Sequence, residues 1–65
     1  MIMELNEIIE ILIYQLKNNF GFNNPEVEFE WEEDGEKYFN IIIDGKNYVC
    51  KVNEEEGNIY WPKEF

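Results

Sequence analysis

The spacing of apolar residues divides the chain into two regimes. Leu5, Ile8, Ile9, Leu12, Leu16 and Phe20 recur at three- and four-residue steps, while Glu4, Glu7, Glu10, Lys17 and Asn18 avoid that stripe. The pattern predicts an amphipathic helix over 4–20. Ile11 and Tyr14 do not fit it: at 100° per residue they project about 120° or more from the stripe, as an exposed apolar pair. Asn19 and Gly21 are exit signals, and "GFNNP" up to Pro25 reads as a connecting loop, because the residue before a proline is pushed out of the helical region.

Beyond Pro25 the period becomes two. Strands are expected at about 27–32, 37–43, 46–53 and 58–62, separated by "EDG", "DG" and "EEEG", each with a glycine available for positive φ. The order predicts a four-stranded antiparallel meander, 1-2-3-4, with the helix on one face: one α+β domain over 1–65.

Turn chemistry sets the register. A two-residue loop at Asp44-Gly45 places Ile41 opposite Tyr48 and Phe39 opposite Cys50, so that Phe39, Ile41, Ile43, Tyr48, Cys50 and Val52 share a face. A two-residue loop at Asp34-Gly35 would send Val27, Phe29 and Trp31 to the other face. A three-residue loop, Glu33-Asp34-Gly35, instead unites all the large apolar residues, and it is the expected arrangement. Ile59 and Trp61 continue the covered face, with Trp61-Pro62 capping the core and ending the last strand.

By the same parity the uncovered face should carry Glu28, Glu30, Glu32, Tyr38, Asn40, Ile42, Asn47, Val49, Lys51 and Tyr60. Carboxylates at alternate strand positions stand about 6.6–6.8 Å apart, a regular array of negative charge comparable to a nucleic-acid backbone. The turn residues Glu33, Asp34 and Glu36 extend it. This row, with Tyr38 beside it, is the expected partner-binding surface. An edge strand also uses charge to avoid pairing with other chains, so the glutamates have a purely protective reading as well.

Charge and composition narrow the function. Fifteen acidic residues against five lysines give a formal net charge of −10, which argues against binding nucleic acid or an anionic membrane directly and favours a basic partner. The chain has no histidine and one cysteine, Cys50, which excludes an internal disulfide, a zinc set and a Cys/His catalytic pair. Cys50 reads as a small core side chain, and a reducing cytoplasm is the expected compartment. No metal or cofactor site is expected, and an enzyme is disfavoured. The opening "MIMELNEIIEILIYQL", with three glutamates and no basic leader, reads as neither a signal peptide nor a membrane span. In size, charge and composition the chain resembles the small acidic proteins of phages and mobile elements, including anti-CRISPR proteins and other DNA mimics. That resemblance implies an inhibitor or adaptor occupying a basic, nucleic-acid-binding surface of a partner protein. The alternative is a homodimeric assembly module, joined through Tyr38, Ile42 and Val49 or through Ile11 and Tyr14.

Overall fold

A computed structural model describes residues 3–65. Helix α1 (Leu5–Asn18) is followed by strands β1 (Glu26–Glu33), β2 (Glu36–Ile43), β3 (Lys46–Asn53) and β4 (Asn58–Tyr60), which form one antiparallel sheet of order β1-β2-β3-β4. The fold is α+β, as the two periodicities imply. No helix among the described residues is long and apolar enough to cross a membrane.

The helix starts where Glu7 accepts a hydrogen bond from the Glu4 backbone N–H at 3.0 Å, which satisfies one of the donors a helix start leaves free. It ends past Asn18, where the Phe22 N–H returns to the Leu16 carbonyl at 3.0 Å. Ile8, Leu12 and Leu16 are buried against Phe39, Ile41, Ile43, Cys50 and Val52 of the two central strands. Leu5 is more exposed than the stripe implies, so the buried face effectively begins at Ile8. Burial pushes the Cys50 thiol up to about 12, as expected for a core side chain rather than a nucleophile.

The end of the core is closed by aromatic rings. Phe20 meets Trp61 edge-on at 5.1 Å and Phe65 at 5.5 Å, and Phe65 reaches Phe22 and Tyr48 at 5.0 Å each. Edge-to-face contacts of this kind add to the area they bury, which matters in a domain with so small a core. Trp61 caps the core as its position suggests.

Both tight hairpins use Asp-Gly pairs with positive φ at each residue: 52° and 78° at Asp34-Gly35, and again 52° and 78° at Asp44-Gly45. These are the values of the two-residue turn whose twist matches the flanking strands. At Asp44-Gly45 the expected register follows, with Ile41 opposite Tyr48 and Phe39 opposite Cys50. At the first hairpin the expected three-residue loop is not formed. The turn has two residues, Glu33 pairs with Glu36, Glu32 with Lys37 and Trp31 with Tyr38, and then a bulge shifts the register so that Phe29 still faces Phe39 and Val27 faces Ile41. Glu30 is the extra residue. The parity conflict is thus resolved inside the strand and not in the loop, because the Asp-Gly turn is favourable and a bulge needs no special residue here.

Leu12→Ala removes a fully buried side chain from the centre of the helix–sheet contact and should destabilise the fold by about 2–5 kcal/mol in urea unfolding. Deleting Glu30 should instead cost less than about 1 kcal/mol, since Trp31 opposite Tyr38 and Phe29 opposite Phe39 then become consecutive pairs of a regular ladder. The Trp31 indole resonance should stay close to its wild-type position; its transfer to a buried environment would show that the register is not the one described.

Candidate functional site

The helix covers one face of the sheet and leaves the other open. On that open face one cross-strand row runs through all four strands: Trp31 pairs with Tyr38, Tyr38 with Lys51 and Lys51 with Tyr60. The Trp31 and Tyr38 rings are stacked, with centroids 4.6 Å apart and planes 10° from parallel. Lys51 Nζ sits 4.7 Å from the Tyr60 ring centroid and 3.5 Å from a Glu36 carboxylate oxygen. The row is therefore aromatic, aromatic, cation, aromatic. Trp31 remains 45% exposed and Tyr60 46%. Beside it lie Ile42 and Val49, and Asn40 donates to Asn47 Oδ1 at 2.8 Å across β2 and β3.

The expected glutamate row is not formed. Glu28 lies on the open face opposite Asn40, but the bulge reverses parity after Glu30. Glu32 consequently falls on the helix side, where Lys37 Nζ lies 3.8 Å from it. Glu30 occupies the bulge and Asp34 the tip of the turn, both exposed. Of the residues singled out from sequence, the structure brings Glu28, Glu33, Glu36 and Tyr38 together on the open face. Trp31, assigned from sequence to the core, takes the place between Glu28 and Glu33 that the row reserved for carboxylates. The reason is the two-for-one count at the bulge: it keeps Val27 and Phe29 under the helix while turning Trp31 outward.

Two of the five lysines are occupied by the protein's own carboxylates. Lys37 stands in line with Phe39 and Ile41 on the helix side, its side chain only 15% exposed, and hydrogen-bonds Glu54, which is 16% exposed. Glu54 also accepts from the Met3 backbone N–H at 3.0 Å, tying the chain before the helix to the β3–β4 turn. The Lys37 hydrogen bond, and after it that of Met3, holds the Glu54 carboxyl below the usual carboxylate range. The same bond holds Lys37 above the ordinary lysine value, against the opposing effect of burial. No sequence signal marks this link, because its members are distant along the chain.

The second candidate surface lies beside the helix. The helix backbone approaches β1 most closely, and towards the β3–β4 turn a groove of about 250 Å³ remains, lined by Ile8, Ile11, Leu12, Val52 and Ile59 with Glu54 at its rim. Ile11 and Tyr14 are exposed, as their helical phase implies, and Ile11 forms part of this groove. Among the described residues no three His, Cys, Asp or Glu side chains are grouped to hold a metal ion. What the open face offers is contact chemistry: exposed π faces, flanking carboxylates and a small aliphatic patch.

Comparison with protein-family models, with curated proteins and with solved structures finds no match to this chain.

The Glu54 contacts generate a pH dependence. A carboxyl whose folded pKa is depressed contributes stability above its unfolded value, about 4.3, and loses it as pH falls through the folded value. Lys37, with its pKa raised, contributes below about 10.4 and loses that contribution only in stronger alkali. Glu54→Gln should therefore destabilise the fold at pH 7, by about 1 kcal/mol for a part-buried carboxylate that accepts from one charged and one neutral donor. The difference from wild type should shrink once pH drops below about 4. A difference independent of pH between about 3 and 7 would show that the carboxylate charge contributes nothing.

Proposed function

We propose that the protein is a small acidic protein-binding inhibitor or adaptor that occupies a basic, nucleic-acid-binding surface of a partner protein, in the manner of anti-CRISPR or other DNA-mimic antidefence proteins. One observation carries this reading: the open face joins exposed aromatic rings to exposed carboxylates at Glu26, Glu28 and Glu33, and the lysine within it is engaged by Glu36. Such a face suits a surface that is basic and partly apolar. Charge steers the encounter and the rings supply contact area. The electrostatic part no longer rests on a regular row of glutamates. It rests on the clustered field of the β1–β2 end, which attracts a basic groove without reproducing phosphate spacing. In this reading the module works by binding and not by catalysis, in a reducing cytoplasm where a buried Cys50 thiol stays free.

Exposed Val49 (55%) and Tyr60 on the same face give the homodimer its best support. Against it stands the charge: a two-fold contact through this face brings Glu28 and Glu33 near their own copies, an arrangement that repels. A partner of opposite sign has no such cost.

The test uses a partner recovered by affinity capture. Replacing Glu28 and Glu33 together by lysine should weaken that complex at least about tenfold, chiefly by slowing association, while the fold stays within about 0.5 kcal/mol of wild type. Wild-type affinity should fall steeply with salt, and DNA or RNA should compete. Unchanged affinity in the double variant, or a ternary complex with nucleic acid on the same site, would contradict the proposal. A dimer strengthened by salt in sedimentation would favour the assembly module.

A further inference from the structure

Trp31 is the feature of the open face that core formation does not explain. In a domain that needs every large side chain, a tryptophan left 45% exposed on the surface forgoes burial worth as much as any residue could supply. An unbulged β1 would keep Trp31 on the same side as Val27 and Phe29. The bulge at Glu30 separates them and aims Trp31 outward, and bulges serve to re-aim side chains near binding sites. Tyr38 then backs the indole as a parallel plate at 4.6 Å, so its orientation is fixed before any partner arrives. Glu28 and Glu33 flank it on β1, both exposed and on the same face.

We infer that the Trp31–Tyr38 stack, with Glu28 and Glu33, is an anchor site for an arginine side chain of the partner's basic surface. The inference rests on the basic-surface reading above and gives that surface its chemistry. A guanidinium is planar and weakly hydrated, so it lies flat on an indole face while its edge donates a forked pair of hydrogen bonds to carboxylates; an ammonium, a strongly hydrated point charge, makes only a weaker form of the same contact. The protein already shows the weaker version of this contact in itself, where Lys51 Nζ lies over the Tyr60 ring and pairs with Glu36. At the β1 end of the row no lysine plays that part for Trp31: in the described residues Lys37 turns to Glu54 and Glu32 on the helix side, and Lys51 to Tyr60 and Glu36. Repulsion between like carboxylates disfavours a second copy as occupant, and the negative field disfavours stacked bases carrying phosphates.

Nona-arginine and nona-lysine peptides of equal charge test this even before the partner is identified. Each would be titrated into uniformly ¹⁵N-labelled protein, and the indole N–H resonances of Trp31 and Trp61 followed. The arginine peptide should bind about threefold or more tightly than the lysine peptide and move the Trp31 indole, leaving Trp61, packed on Phe20, unmoved. Trp31→Ala should reduce the arginine peptide to the affinity of the lysine peptide, with salt dependence kept; Trp31→Phe should retain part of the preference. Equal affinities on the wild type, or an arginine preference that survives Trp31→Ala, would overturn the anchor while leaving the basic-surface reading intact. Binding of neither peptide at low salt would overturn both. A Trp31 resonance that shifts with protein concentration alone would assign the site to a second copy and also overturn the proposal.

Discussion

The side on which a strand residue emerges is fixed by parity, and in this protein one extra residue decides it. The bulge at Glu30 lets two favourable arrangements coexist that a regular strand would set against each other. A two-residue Asp-Gly turn fixes the end of β1, and Val27 and Phe29 enter the core under the helix. Everything between the two is carried to the opposite side from that of a regular strand. Trp31 leaves the core, Glu32 moves to the helix side within reach of Lys37, and the glutamates lose their even spacing. The character of the open face follows from that single insertion.

The remaining core is small, and the rest of the structure compensates for it at the margins. Three helix residues and five strand residues are buried, and the aromatic group around Phe65 seals one end. At another margin Glu54 joins Lys37 to the Met3 backbone, so that one carboxylate links three distant parts of the chain. Most other acidic groups stay in water, where a net charge of −10 costs some stability through self-repulsion. A surface on which carboxylates outnumber lysines fifteen to five, beside rings kept exposed, suits the basic partner proposed above.

The helix, the strand order and the second hairpin are legible because each is fixed by a local rule: a three-to-four spacing, a two-residue alternation, an Asp-Gly turn. Even the pairing of Val27 with Ile41 and Phe29 with Phe39 can be reached from sequence. Trp31 cannot. A three-residue loop and a two-residue loop followed by a bulge produce the same register upstream of residue 30 and opposite faces after it. Apolar patterning prefers the first, whereas turn geometry selects the second. The placement of Glu28 and Tyr38 is legible because it depends on strand alternation alone, and Glu33 and Glu36 follow as neighbours of the turn. The Glu54 contacts are not legible, since nothing along the chain announces a tie between residues 3, 37 and 54.

The proton–proton contact pattern of Trp31 in solution tests the bulge most directly. Nuclear Overhauser effects should connect the indole ring to Tyr38, backbone effects should pair Trp31 with Tyr38 and Phe29 with Phe39, and Glu30 should lack a partner of its own. Effects from the indole to Leu12, Leu16 or Phe39, with Glu30 paired regularly opposite Tyr38, would mean that β1 runs unbulged and that the open face is an acidic row after all.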